Sequence, residues 1–202
     1  MIRAALVAVL LALPAAAQES PEPPAPRTQT VVLETPLGAI TLALEVERAP
    51  ITSANFLRYV REKRLDGASF YRALKLREDG SYGLVQGGLR NDPKKVLPPI
   101  AHEPTTQTGL SHADGAISMA RAAPGSAQMD FFIIVGGLPS LDANPDGPGD
   151  NHGYAVFGRV TEGMEVVRAI LASETDPNLG EGVMKGQMLK DPVPIQAARK
   201  GS

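Results

Sequence analysis

The segment AISMARAAPGSAQMDFFI, residues 116 to 133, sets the guanidinium of Arg121 and the carboxylate of Asp130 on either side of a small-residue turn containing Pro124, Gly125 and Ser126. Met119 and the Phe131–Phe132 pair flank the turn, so the two charges border an apolar surface. That raises the question of what a guanidinium and a carboxylate do together beside an apolar surface. Met119 reads as core filler. Strand alternation divides the two phenylalanines between opposite faces, one core and one pocket.

Hydrolytic and metal-binding chemistries fit poorly. Ser126, His112 and Asp130 could be imagined as a hydrolytic triad, but no nucleophile-elbow signature surrounds the serine. His102, His112 and His152 lack close metal-ligand spacing and read as surface or loop residues. In DANPDGPGDNHG, residues 142 to 153, Asp142, Asn144, Asp146 and Gly147 imitate the start of a calcium loop. Gly153 stands at the twelfth place, where a bidentate Glu belongs, and Pro145 and Pro148 stiffen the segment. It reads as a solvated turn, and no metal is expected.

The elements that must position these groups are mostly short strands. TVVLETPLGAITLALE holds two β-rich runs joined at Pro36, Leu37 and Gly38, with Ile40, Leu42 and Leu44 alternating against Ala39, Thr41 and Ala43. In APITSANFLRYVREKRLDG the period changes: Thr52 or Ser53 is placed to cap a helix with Phe56, Leu57 and Val60 on one face, and Gly67 follows its end. A second helix is expected at GMEVVRAILAS, striped by Met164, Val167, Ile170 and Leu171. Between them ASFYRALKL, YGLVQGG, AISMAR, DFFIIVGG and YAVFGRV are strand-like. Two helices among many short strands, without βαβ alternation, indicate a mainly β chain forming an antiparallel barrel closed at its ends by the helices.

The chain of 202 residues, 43% hydrophobic, is long enough for one domain with a substantial core. Its first stretch, MIRAALVAVLLALPAAAQES, has a cation at Arg3, an apolar run from Ala4 to Ala17, and small residues at Ala15 and Ala17. That run is shorter than the roughly 20 residues of a spanning helix. It reads as a cleaved secretory signal over residues 1–17, with a periplasmic product starting at Gln18 and no membrane span after cleavage. Residues 18–29 form a Pro-rich linker, and residues 30–198 the folded domain. With no Cys, the chain has no disulfide framework. A formal net charge of −2 supplies no basic field for a phosphate backbone, so nucleic acid is not an expected partner.

In order along the chain, TPLGAITLALEVERAPITSANFLRYV, FYRALKL, LVQGG, ISMAR, DFFI, LD and YAVFGRVTEGMEVV resemble a cyclophilin-type peptidyl-prolyl cis-trans isomerase, from about Val31 to about Ile195. The resemblance is nearest to the exported bacterial type. It implies a closed eight-stranded antiparallel β-barrel capped by two α-helices, no cofactor, and a groove on the barrel's outer face. A monomer acting on proline-containing polypeptides is expected. Arg72 falls on the family's catalytic arginine and Gln86 on its substrate-binding glutamine. Phe132 matches the aromatic floor of the proline pocket, with Leu84 facing the same way as Gln86. Ala120 and Arg121 match the segment whose backbone pairs with substrate, Arg121 also being placed at the rim. Asp130, Leu141 and Tyr154 complete the implied binding residues.

Several positions depart from the family pattern. Gly83 stands for Phe, Leu84 for Met, Met129 and Asp130 for Ser-Gln, and Ser140 for Trp or Phe. The stretch from Arg72 to Gln86 carries an insert, REDGSY, that could bring Tyr82 into the place left bare by Gly83. Two functions fit these features. One is an exported isomerase that accelerates proline-limited folding. The other is a weakly catalytic proline-peptide-binding module, or holdase chaperone, using the same groove.

Overall fold

A computed structural model describes residues 25–90 and 92–201. The expected signal segment 1–17, and residues 18–24 of the expected linker, lie outside the described residues. The first hairpin forms as read, from β1 (Gln29–Thr35) and β2 (Gly38–Leu44). Thr35 closes its turn: the hydroxyl donates to the Gly38 carbonyl at 2.8 Å and accepts the Leu37 N–H at 3.1 Å. Val31 and Leu33 of β1, with Ile40, Leu42 and Leu44 of β2, are fully buried, as their alternation requires.

The remaining strands are β3 (Ser69–Lys75), β4 (Gly83–Gly88), β5 (Ala116–Met119), β6 (Phe131–Val135), β7 (Ala155–Glu162), β8 (Thr175–Asp176), β9 (Met188–Pro194) and β10 (Ala197–Lys200). All pair antiparallel in one curled sheet, ordered β10-β1-β2-β7-β5-β6-β4-β3-β9-β8. The closed eight-stranded barrel with two helices is therefore corrected to a curled ten-stranded sheet with three α-helices, α1 (Pro50–Arg61), α2 (Thr105–Thr108) and α3 (Met164–Ala172). The extra strands have a physical origin. After α3 the chain runs along β3 as β9, turns at Ile195–Gln196, and then runs along β1 as β10, so one segment serves both flanks of the sheet. Among the described residues the strands run from Gln29 to Lys200.

Helix α1 shows the expected apolar face, with Phe56, Tyr59 and Val60 buried and Leu57 packed against the core. Its cap differs from expectation. Pro50 occupies the first turn, so Thr52 and Ser53 lie within the helix, and no helix residue caps it by its side chain. The Glu103 carboxylate, 1% exposed, reaches in from a distant loop. It accepts the Ile51 and Thr52 N–H groups at 3.1 and 2.7 Å and the Thr52 hydroxyl at 2.6 Å. An anion there satisfies otherwise unpaired donors and complements the helix dipole.

Two apolar clusters use the two faces of the sheet. The larger contains Phe56, Phe70, Phe131 and Phe157. Phe131 meets Phe56 and Phe70 edge-on, with centroids 5.5 and 5.7 Å apart. Each such contact adds about 0.5–1.5 kcal/mol to the burial of the rings. Met119 also lies in this core, 1% exposed. Phe132, next along β6, belongs to the second cluster with Leu84, Ile134, Leu138 and Val156. The division of the two phenylalanines thus follows the pleat, and the second cluster underlies the groove.

Candidate functional site

The site is organised by an irregularity in β3. Arg72 pairs with Gln86 of β4, but the next pair is Phe70 with Gly87, so Tyr71 is an extra residue on the β3 side. A bulge suspends strand alternation. As a result Tyr71 and Arg72, neighbours in sequence, address the same side chain: Arg72 Nη1 donates to Gln86 Oε1 at 2.8 Å, and Gln86 Nε2 donates to the Tyr71 hydroxyl oxygen at 2.8 Å. Tyr71 in turn donates to Asp130, and Asp130 Oδ1 accepts the Arg90 N–H at 2.9 Å. Burial first, and the Asp130 charge second, push the Tyr71 hydroxyl pKa up, so it stays a donor. The Arg90 guanidinium lies 4.8 Å from the centre of the Tyr71 ring.

Arg72 is also held from the other side. Gln187 Oε1 accepts from its Nε at 2.9 Å and its Nη2 at 2.6 Å. Desolvation lowers the Arg72 pKa from its ordinary value, with Tyr71 and Tyr154 pulling the other way. The guanidinium is thus a fixed cation whose hydrogen-bond partners are neutral amides.

Above this network opens a cavity of about 710 Å³. Arg72, Leu84, Gln86, Ala120, Arg121, Asp130, Phe132, Leu141 and Tyr154 all line it, so the structure brings together every site residue singled out in the sequence. Phe132 forms the floor. Tyr154 meets it edge-on at 5.3 Å, and His112 stacks on it at 5.9 Å. Leu74, Ala122, Ser126, Gln128, Val183 and Met184 line the cavity as well. The Gln128 amide is engaged elsewhere, donating to the Leu97 carbonyl at 2.9 Å.

Arg121 holds the loop beside the groove. Its side chain is only 3% exposed, so it is not a free cation at the rim. The guanidinium bonds Asp150 at 2.6 and 2.9 Å and the Gly153 carbonyl at 2.9 and 2.6 Å, and lies 4.9 Å from the Tyr154 ring centre. The other end of that loop is fixed at Asp142, which accepts the Ser111 hydroxyl at 2.5 Å and the His112 N–H at 3.0 Å, and meets His112 Nδ1 at 2.5 Å. His112 lies in a loop, as its sequence context suggests, but not at the surface. It is 0% exposed, with Nε2 3.0 Å from the Ser118 hydroxyl. Burial lowers its pKa below the ordinary value, with Asp142 pulling the other way.

Two glycines shape the groove by what they omit. A Cβ on Gly83 would lie 2.1 Å from the Leu74 carbonyl oxygen, so β3 approaches too closely for any side chain there. A Cβ on Gly88 would lie 2.3 Å from Asp130 Oδ1. Tyr82 packs against the second apolar cluster without lining the cavity, so the insert does not replace an aromatic wall at Gly83.

Tyr71 and Gln187 escape a reading of the sequence. Alternation places Tyr71 opposite Arg72, and only the bulge reverses this. Gln187 lies 115 residues from Arg72, in a segment without periodic signal.

Comparison with known proteins places this geometry. The family model described as cyclophilin type peptidyl-prolyl cis-trans isomerase/CLD matches residues 30–199. A Streptomyces antibioticus protein, peptidyl-prolyl cis-trans isomerase cyp18, is 38% identical over 173 residues, covering 84% of this chain and 97% of its own. Peptidyl-prolyl cis-trans isomerase A of Dickeya dadantii is 35% identical over 172 residues, covering 84% and 83%. Among solved structures, a Cryptosporidium parvum cyclophilin-type isomerase superposes with a TM-score of 0.67 at 21% identity, covering 87% of this chain and 98% of its own. That last likeness shows the fold.

Proposed function

Because the chain belongs to the cyclophilin-type peptidyl-prolyl cis-trans isomerase family, it is an enzyme of that activity, and we propose that Arg72 is its catalytic group and exported proteins its substrates. An X-Pro amide isomerises slowly because resonance gives its C–N bond double-bond character, with a barrier of about 18–20 kcal/mol. Twisting the amide localises a lone pair on the prolyl nitrogen. A fixed donor that meets that nitrogen stabilises the twisted state more than either planar one.

The observation that carries this reading is the guanidinium of Arg72, held between Gln86 and Gln187 at the edge of a cavity floored by Phe132. Among the described residues three of its N–H groups are engaged, out of the five a guanidinium offers. The others serve the substrate. Phe132, Leu84, Leu141 and Tyr154 receive the proline ring, Gln86 and Asp130 address flanking amides, and the backbone of Ala120 and Arg121 pairs with the peptide. The Cryptosporidium parvum isomerase has also been solved in the presence of the dipeptide Ala-Pro, which agrees with a proline-containing ligand.

The cellular setting rests on residues 1–17, read as a cleaved signal, and on the resemblance to the exported bacterial type. We place the mature protein in the periplasm as a monomer starting at Gln18. Intact-mass measurement of protein from the cell envelope checks that start, and recovery of Met1 in membranes would overturn it. Isomerisation of a short Ala-Pro peptide, followed for the native protein and Arg72→Ala, tests the chemistry. Turnover that falls on the order of 100-fold with an unchanged circular dichroism spectrum is expected. Binding without turnover in the native protein would favour the holdase.

A further inference from the structure

Resting on the isomerase reading, we propose that the turn Gly182–Met184 adds an apolar subsite at the Arg72 end of the groove, which takes an aliphatic or aromatic side chain next to the isomerising proline. Val183 is 88% exposed and Met184 37%, and both line the same cavity as Phe132 and Arg72. Scattered exposed apolar residues need no explanation, but two adjacent ones continuous with a peptide groove do. Met is suited to the role, since its unbranched, polarisable side chain adapts to varied partners.

The turn is held firmly enough to act as a wall. The Lys185 N–H donates to the Gly182 carbonyl at 3.2 Å and the Gly186 N–H to the Leu179 carbonyl at 2.8 Å. Gln187 ties it to the catalytic strand. Its Nε2 donates to the Val183 carbonyl at 2.6 Å, its backbone N–H to the Met184 carbonyl at 3.1 Å, and its own carbonyl accepts the Ala73 N–H at 2.9 Å. The same Gln187 side chain accepts the two bonds from Arg72. The apolar wall and the guanidinium are therefore positioned by one residue, which lowers the cost of ordering the protein on binding. Glu181 and Lys185, of opposite sign, flank the turn, so it offers no net charge to select by. Selection must come from apolar contact.

Two peptide series decide the matter, Xaa-Pro-Ala and Ala-Pro-Xaa, with Xaa as Leu, Phe, Ser or Glu. Both kcat/KM and Kd are measured, so that affinity reports on the subsite even where turnover is absent. In one series Leu and Phe are expected to exceed Glu by roughly 10-fold. Val183→Ser with Met184→Ser should bring that ratio close to one, and Val183→Lys should turn it toward Glu. An equal response to all four residues in both series, or a preference unchanged in the double variant, overturns the subsite. Absence of turnover with every peptide would instead count against the isomerase reading, leaving the affinity ratio to decide the subsite.

Discussion

The imidazole of His112 lies against the ring of Phe132, with centroids 5.9 Å apart and planes 10° from parallel. The floor of the groove therefore has a titratable group on its buried side, and that group is fixed to Asp142 on one nitrogen and Ser118 on the other.

This arrangement makes stability depend on pH. Burial lowers the His112 pKa below its ordinary 6.5 in the folded protein. The unfolded chain takes up the proton more readily, so the His112 contribution is complete above about pH 6.5 and declines as pH falls from there through the lowered folded value. Urea midpoints measured between about pH 7.5 and 5 should fall toward the acid end. His112→Gln should flatten that fall, and a wild-type midpoint that rises on acidification across this window would contradict the assignment.

Arg72→Lys tests whether the shape of the cation matters. A lysine ammonium keeps the charge but cannot reproduce the fork that reaches Gln86 and Gln187 together. A loss of kcat/KM on the order of 10-fold or more is expected, with KM changed less than kcat. Equal activity would mean that charge alone suffices.

Removing the Tyr71 hydroxyl breaks the link between Gln86 and Asp130. Tyr71→Phe leaves the Gln86 amide without its acceptor and takes one donor from Asp130. Denaturant unfolding should show a cost of about 1–3 kcal/mol, and isomerase activity should fall as Gln86 loses its orientation. A variant equal to the native protein in both would remove Tyr71 from the site.

The cap on α1 gives a prediction far from the groove. Glu103→Ala removes the acceptor for two backbone N–H groups and the Thr52 hydroxyl. A loss of about 2 kcal/mol is expected by thermal or denaturant unfolding. Glu103→Gln should recover part of it, since an amide oxygen can still accept.

Much of this molecule is legible in its sequence. Strands β1 and β2 and helices α1 and α3 announce themselves by the period of the side chains they bury, and β3 to β7 by short runs of strand-forming residues between Gly and Pro punctuation. Helix α2 is four residues of TTQT with no apolar stripe to find. Strand β9 contains Pro192 and Pro194 and pairs with β3 only through a register shift, so its pattern looks like a loop. The groove follows the same rule. Gln86, Leu84 and Phe132 keep strict alternation and are placed by it, whereas Tyr71 sits on a bulge. Glu103 and Gln187 act across large separations, and no local pattern carries that information.

The path of the carboxy-terminal segment governs when the groove becomes whole during synthesis. The β3–β4 hairpin, with Arg72 and Gln86, is complete early in the chain, but Gln187 follows Arg72 by 115 residues, and β1 waits for β10. Contacts of such long sequence separation form late and slow a chain's folding. A polypeptide still growing from the ribosome therefore has a guanidinium with one of its two side-chain anchors missing and a groove open on one side. Until Gln187, β9 and β10 are available the hairpin has no finished groove, so a fragment that stops before them is expected to lack full activity.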